Sequence, residues 1–165
     1  MANICSNYLS ITGGKESDVN SFRTSFIKMK EKELEFNLGQ LPEEIPIEKY
    51  ENEEIYLHSF SLEGSIQFET KWAPAIRVLV EMGRYFQVSF EMDYEELGFG
   101  IYGRLIYIHT LDSIHEIDLD DSDFESYEED DDTGVCIFEG EKYDCSSEVL
   151  EELLKRKVFA FFSNK

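Results

Sequence analysis

Residues 112–132 carry twelve Asp and Glu side chains and no Lys or Arg. Like charges at this density repel one another and hold water, so the segment cannot form a packed core. A fold must therefore be built from what lies on either side, residues 1–110 and 134–165. Residues 111–133 are expected as an acidic loop or linker between them, or as a surface built to meet something positive. The flanks can supply a core: the 165-residue chain is 42% hydrophobic, with 13 Phe and 9 Tyr, and its length suits one domain.

The first flank alternates strand and helix periods. Residues 4–12 alternate and run into Gly13-Gly14, which predicts a strand and a turn. Val19, Phe22, Phe26 and Met29 then recur at steps of three and four, predicting a helix capped by Ser17 or Asp18. Leu34, Phe36 and Leu38 alternate with polar residues, which predicts a second strand. Residues 40–63 hold Pro42, Pro46 and many acids, so a long irregular connection is expected, with Ile55-Tyr56-Leu57 as a short strand or turn. Ile66 and Phe68 mark another strand. It leads through Trp72-Ala73-Pro74 into a helix whose Ile76, Leu79, Val80 and Gly83 share a face, proline being tolerated in a first turn. Val88, Phe90 and Met92, a glycine turn, and residues 104–109 predict a hairpin.

Beyond the acids, residues 135–138 read as a strand and Glu139-Gly140-Glu141 as a turn. Ser146 or Ser147 then caps a last helix with an apolar stripe of Leu150, Leu153, Leu154, Val158 and Phe161. Its acids come first and its Lys155, Arg156 and Lys157 later, the polarity a helix dipole favours. The order β-α-β, connection, β-α-β-β predicts an α+β fold: a ferredoxin-like split β-α-β body with a mainly antiparallel sheet. The C-terminal strand and helix are expected to pack on the same domain, covering the second sheet face or extending an edge.

Charge narrows the function classes. Without the twelve acids the formal charge of −21 falls only to −9. That argues against direct binding of nucleic acid, whose phosphates are held by Lys and Arg, and favours basic partners. Cys5, Cys136 and Cys145 form no C-x-x-C pair and have no His at zinc spacing, so reduced thiols in a cytoplasm are expected. The opening residues lack the basic and apolar regions of a secretory signal, and no apolar run reaches the ~20 residues of a membrane span.

Asn3-Ile4-Cys5-Ser6-Asn7 with Leu9, Ile11 and Gly13, then Thr70-Lys71-Trp72-Ala73-Pro74, then Tyr94-Glu95-Glu96 running into Gly98-Phe99-Gly100, together resemble the YubB ferredoxin-like family. Position 4 departs from the family pattern, being Ile where an aromatic is usual. The resemblance covers roughly residues 1–110. It implies the ferredoxin-like fold and an association with plasmids, phages and other mobile elements; it carries no catalytic residue and no cofactor, since a shared fold does not fix chemistry.

The remaining motifs are weak. Gly98-x-Gly100-x-x-Gly103 has the letters of a dinucleotide fingerprint, but a strand follows where a helix is required, so a hairpin turn is expected. Asp118, Asp120 and Ser122, with Glu129 in register, have the spacing of a calcium loop, yet Asp123 stands where glycine is needed. His58, His109 and His115 are isolated. Trp72 is expected in the core or as a staple, or else, with Tyr94, Phe99 and Tyr102 around the glycine turn, as an exposed aromatic surface.

No catalytic, cofactor or metal residues are assigned. The expected function is a non-enzymatic interaction protein of a mobile element, whose acids engage a basic or nucleic-acid-binding host protein. In its sharpest form it is a DNA mimic. Asp118, Asp120, Asp121, Asp123, Glu128, Glu129, Asp130, Asp131 and Asp132 would form the contact, with Trp72, Tyr94, Phe99 and Tyr102 as a second surface. Two alternatives stand beside it: an enzyme or small-ligand domain with a pocket between the sheet and the C-terminal helix, and a structural subunit marked by a large apolar patch.

Overall fold

The alternating opening forms β1 (Ile4–Gly13) and the 3.6-residue period after it forms α1 (Glu16–Phe36) in a computed structural model. It describes residues 3–45, 53–61, 65–130 and 132–163, with the backbone alone for 58–61. Pro46 and much of the expected connection, Asp131, and the side chain of His58 lie outside the described residues.

α1 begins two or three residues earlier than expected, after Lys15, so Ser17 and Asp18 lie in its first turn rather than capping it. It also runs through the segment expected as a second strand. The buried face set by Phe22, Phe26 and Met29 continues at Glu33, one further helical step. Leu34 and Phe36 fall off that face, Leu38 lies past the helix end, and all three are exposed; their alternation marks no strand. Asn37 closes the helix in the left-handed conformation, its N–H on the Glu33 carbonyl at 2.7 Å.

Next come β2 (Ile55–Ser61), β3 (Ile66–Lys71), α2 (Ile76–Phe86), β4 (Ser89–Glu96), β5 (Ile101–Ile108) and β6 (Ser113–Asp118). They form one antiparallel sheet in the order β2-β3-β1-β4-β5-β6. β3 lies between β1 and β2, and β1 between β3 and β4, which is the interleaving of two β-α-β units in a ferredoxin-like body. β5 and β6 widen it beyond β4. Both helices cover the face carrying Leu9, Phe68, Phe90 and Tyr107. The aromatic core links the layers, with Phe26 to Phe68 at 5.7 Å and Phe22 to Phe90 at 6.3 Å between ring centroids. The outer edge of β2 is shielded by α1: Leu57 donates its N–H to Glu33 at 2.6 Å and accepts Lys30 Nζ at 2.5 Å.

The acidic segment is not the loop or linker expected. β6 lies within it, and α3 (Asp121–Phe124) and β7 (Glu128–Glu129) follow. Sparse apolar residues decide this: Ile117 and Leu119 are buried, and Phe124 and Tyr127 are partly buried, while Asp118, Asp120, Asp121 and Glu125 between them are exposed and Asp123 turns in toward Lys157. β7 joins β8 (Cys136–Phe138) and β9 (Glu141–Tyr143) in a small second sheet. Helix α4 (Ser146–Ser163) lays Leu150 and Leu154 on Ile106 and Ile117 of the main sheet, and Val149 on Cys136 and Phe138. α4 therefore covers the second face only over β5 and β6. Among the described residues, no helix is long and apolar enough to cross a membrane.

Candidate interaction surface

The acids of the run do two kinds of work. Asp120 caps α3 by accepting the Ser122 N–H at 3.0 Å, while Asp123 accepts the Asp120 N–H at 2.8 Å, a reciprocal capping box. Lys157 of α4 reaches both carboxylates, at 2.8 Å to Asp120, and its hydrogen bond holds the Asp120 carboxyl down at about 2. Asp118 accepts the Tyr94 hydroxyl at 2.6 Å. Asp130 closes the β7–β8 turn by accepting from the Thr133 hydroxyl and N–H, both at 2.9 Å, and its pKa is lowered by these bonds. Asp121, Glu128, Glu129 and Asp132 are exposed. The run is thus a folded acidic flank. The calcium-loop spacing dissolves in it, because Asp118 ends a strand and Asp120 caps a helix. Among the described residues, no group of three or more His, Cys, Asp or Glu is placed to hold a metal ion.

A second acidic surface lies on the sheet itself. Over β3, β1 and β4 the face opposite α1 and α2 carries Glu69, Glu91, Asp93 and Glu95 interleaved with Tyr8. Ser6 stands between Glu69 and Glu95, and Tyr8 between Gln67 and Asp93, so the carboxylates share one plane. Arg104 clamps Asp93 through two bonds, at 2.5 and 2.8 Å. Burial, then the charge of Glu95, raises the pKa of Tyr8 and pushes Tyr102 up to about 12. Sequence reasoning missed this face because it used the alternation of these strands to find the buried side. The outward members of the same alternation were the available signal.

The aromatic residues separate. Trp72 is 48% exposed rather than in the core. The inward series of β3 ends at Thr70, and the chain turns at Trp72 with φ 69°, its N–H held by the Asn3 carbonyl at 3.0 Å. Its ring packs on Phe99, 62% exposed, at 5.9 Å. Tyr94 is not on the exposed surface: it continues the inward series of Phe90 and Met92 and is 3% exposed. Tyr102 is half-buried beside the α4 contact. The turn after β4 is tied by Glu96, a buried carboxylate accepting the N–H groups of Gly98 at 3.1 Å and Phe99 at 2.7 Å. β5 follows it, as a hairpin requires.

Residues 48–139 match the ferredoxin-like domain in Api92-like protein. The chain belongs to that family. The matched span runs from before β2 to just beyond β8, so the acidic flank lies inside the Api92-like domain match. No curated protein and no solved structure matches the chain.

Several chemistries are ill served by this Api92-like fold. Cys5 is fully buried, and burial pushes its thiol up to about 11, which keeps it from being a thiolate nucleophile at neutral pH. His115 is stacked against Phe161 and Phe162 at 5.4 and 5.6 Å. Much of the space between β5–β6 and α4, where a ligand pocket is expected as an alternative, is filled by Ile106, Ile117, Leu150 and Leu154, and an open groove remains along β6 and α4 beside Glu116, Asp118 and Lys157. What the surface offers instead is acid and aromatic side chains held on a rigid sheet.

Proposed function

We propose that this protein is a non-enzymatic interaction module that engages a basic, nucleic-acid-binding protein, its carboxylates taking the place of nucleic-acid phosphates. The observation that supports this most is the sheet face over β3, β1 and β4, which no helix of the described residues covers. Glu91, Asp93 and Glu95 project from one strand at every second residue, about 7 Å apart; Arg104 pairs the middle one, Asp93, and borders Glu91, so Glu91 and Glu95 are the outer carboxylates of the row. Glu69 adds charge across the sheet. In RNA-binding sheets of this type the same face carries aromatic and basic groups; here the sign is inverted, so the module suits a protein that itself binds nucleic acid. The resemblance to the YubB family supports a mobile-element origin, with a cytoplasmic host protein as the target.

The test is capture from host lysate with the wild-type chain, with a Glu69→Gln, Glu91→Gln, Glu95→Gln variant, and with a Glu128→Gln, Glu129→Gln variant. The expected result is a nucleic-acid-binding protein retained by the wild type, lost with the sheet-face variant and displaced by added DNA. Retention should weaken as salt rises toward about 0.15 M. Equal capture by all three proteins, indifferent to salt and DNA, would remove the proposal.

A further inference from the structure

A cleft of about 280 Å³ opens between the start of α2 and the ends of β5 and β6. Its lining is mixed, with Pro74, Ile76, Ile101 and Leu119 on the apolar side and Tyr94 and Tyr102 beside them. Glu116 and Asp118, two residues apart on β6, bring carboxylates to it. Asp118 is held in place by the buried Tyr94 hydroxyl at 2.6 Å. Neither carboxylate has an ion-pair partner among the described residues. The cations that border neighbouring grooves with them are already taken: Arg77 by Glu53, Arg84 by Asp112 and Glu81, Lys157 by Asp120 and Asp123. The cleft lies at the lower edge of the range of small-molecule sites and is large enough for one side chain.

We infer that this cleft is the anchor for an arginine side chain of the basic partner. The apolar part of the lining suits the methylene stem, and two carboxylates carried on strand positions about 7 Å apart suit a planar fork with donors on both sides better than the point charge of lysine. The loops that line the cleft, around residues 72–76 and 97–102, also carry the exposed Trp72–Phe99 pair, a face on which a second guanidinium can stack. The inference rests on the proposed acidic interaction and names its anchoring residue type.

Trp72 is the chain's single tryptophan, so its fluorescence reports binding directly. The full chain is titrated with capped hexa-arginine and hexa-lysine peptides. We expect hexa-arginine to shift Trp72 emission and to bind about tenfold more tightly than hexa-lysine. Glu116→Gln with Asp118→Asn should weaken hexa-arginine about tenfold, while Glu128→Gln with Glu129→Gln changes it less than about twofold. Asp118→Asn keeps an oxygen for the Tyr94 hydroxyl. Should that pair still unfold the chain, Glu116→Gln alone, an exposed change, is expected to weaken binding about threefold. Hexa-arginine binding that is unaltered by the cleft substitutions would overturn the anchor and leave the acidic-face proposal standing. No binding of either peptide to the wild type would overturn both.

Discussion

Gly103 shows how a single residue changes meaning between sequence and structure. As a letter it is the third glycine of a spurious fingerprint; in the fold it faces Tyr94 and Asp118. A Cβ there would collide with the Asp118 carboxylate and lie 2.7 Å from the Tyr94 hydroxyl. Gly103→Ala should therefore split that hydrogen bond and overpack the β4–β5–β6 junction, costing about 1–3 kcal/mol, measurable by chemical denaturation. Asp120 gives a prediction in pH. Its folded pKa, about 2, lies below the ordinary 3.8, chiefly through Lys157. The stabilisation is thus complete above about pH 4 and is lost as pH falls toward 2, because the unfolded chain takes up the proton first. The difference in Tm between wild type and Asp120→Asn should shrink across that window; a constant difference would show that Lys157 is not its cause.

At the scale of elements, the strongest periodicities were legible and the ambiguous ones were settled by packing. β1, β3, β4 and α4 follow from their apolar spacing. Leu34, Phe36 and Leu38 mimic a strand and so predict too short an α1, and only the sheet beneath Phe22, Phe26 and Met29 shows which helical face continues. β6 was hidden by the charge around it: an edge strand needs just Ile117 and its continuation Leu119 to dock, and the acids between them remain in water. α4 is what makes that docking worthwhile. Leu150→Ala, at a side chain 1% exposed against Ile106 and Ile117, is expected to cost about 2–5 kcal/mol. Phe159→Ala, at 74% exposure on the same helix, should stay within about 0.5 kcal/mol. Thermal unfolding of the two variants compares them directly.

At the scale of the molecule, a formal charge of −21 on 165 residues sets carboxylates against one another throughout the surface. Screening relieves that repulsion more than it weakens the exposed ion pairs. Tm should therefore rise as sodium chloride is increased from about 10 mM to about 150 mM at neutral pH, followed by circular dichroism; a fall would mean that the pairs around Lys157, Arg156 and Arg104 outweigh the net charge. The sequence alone determined the fold class, the order of the clearest strands and helices, and the acidic character, because periodicity and charge are local properties of a chain. Which face of the sheet stays open, where Trp72 and Tyr94 point, and that the acids of one segment divide between caps and free surface were decided by the tertiary structure. Those outcomes depend on which side α1, α2 and α4 cover, and on contacts between residues far apart in the chain.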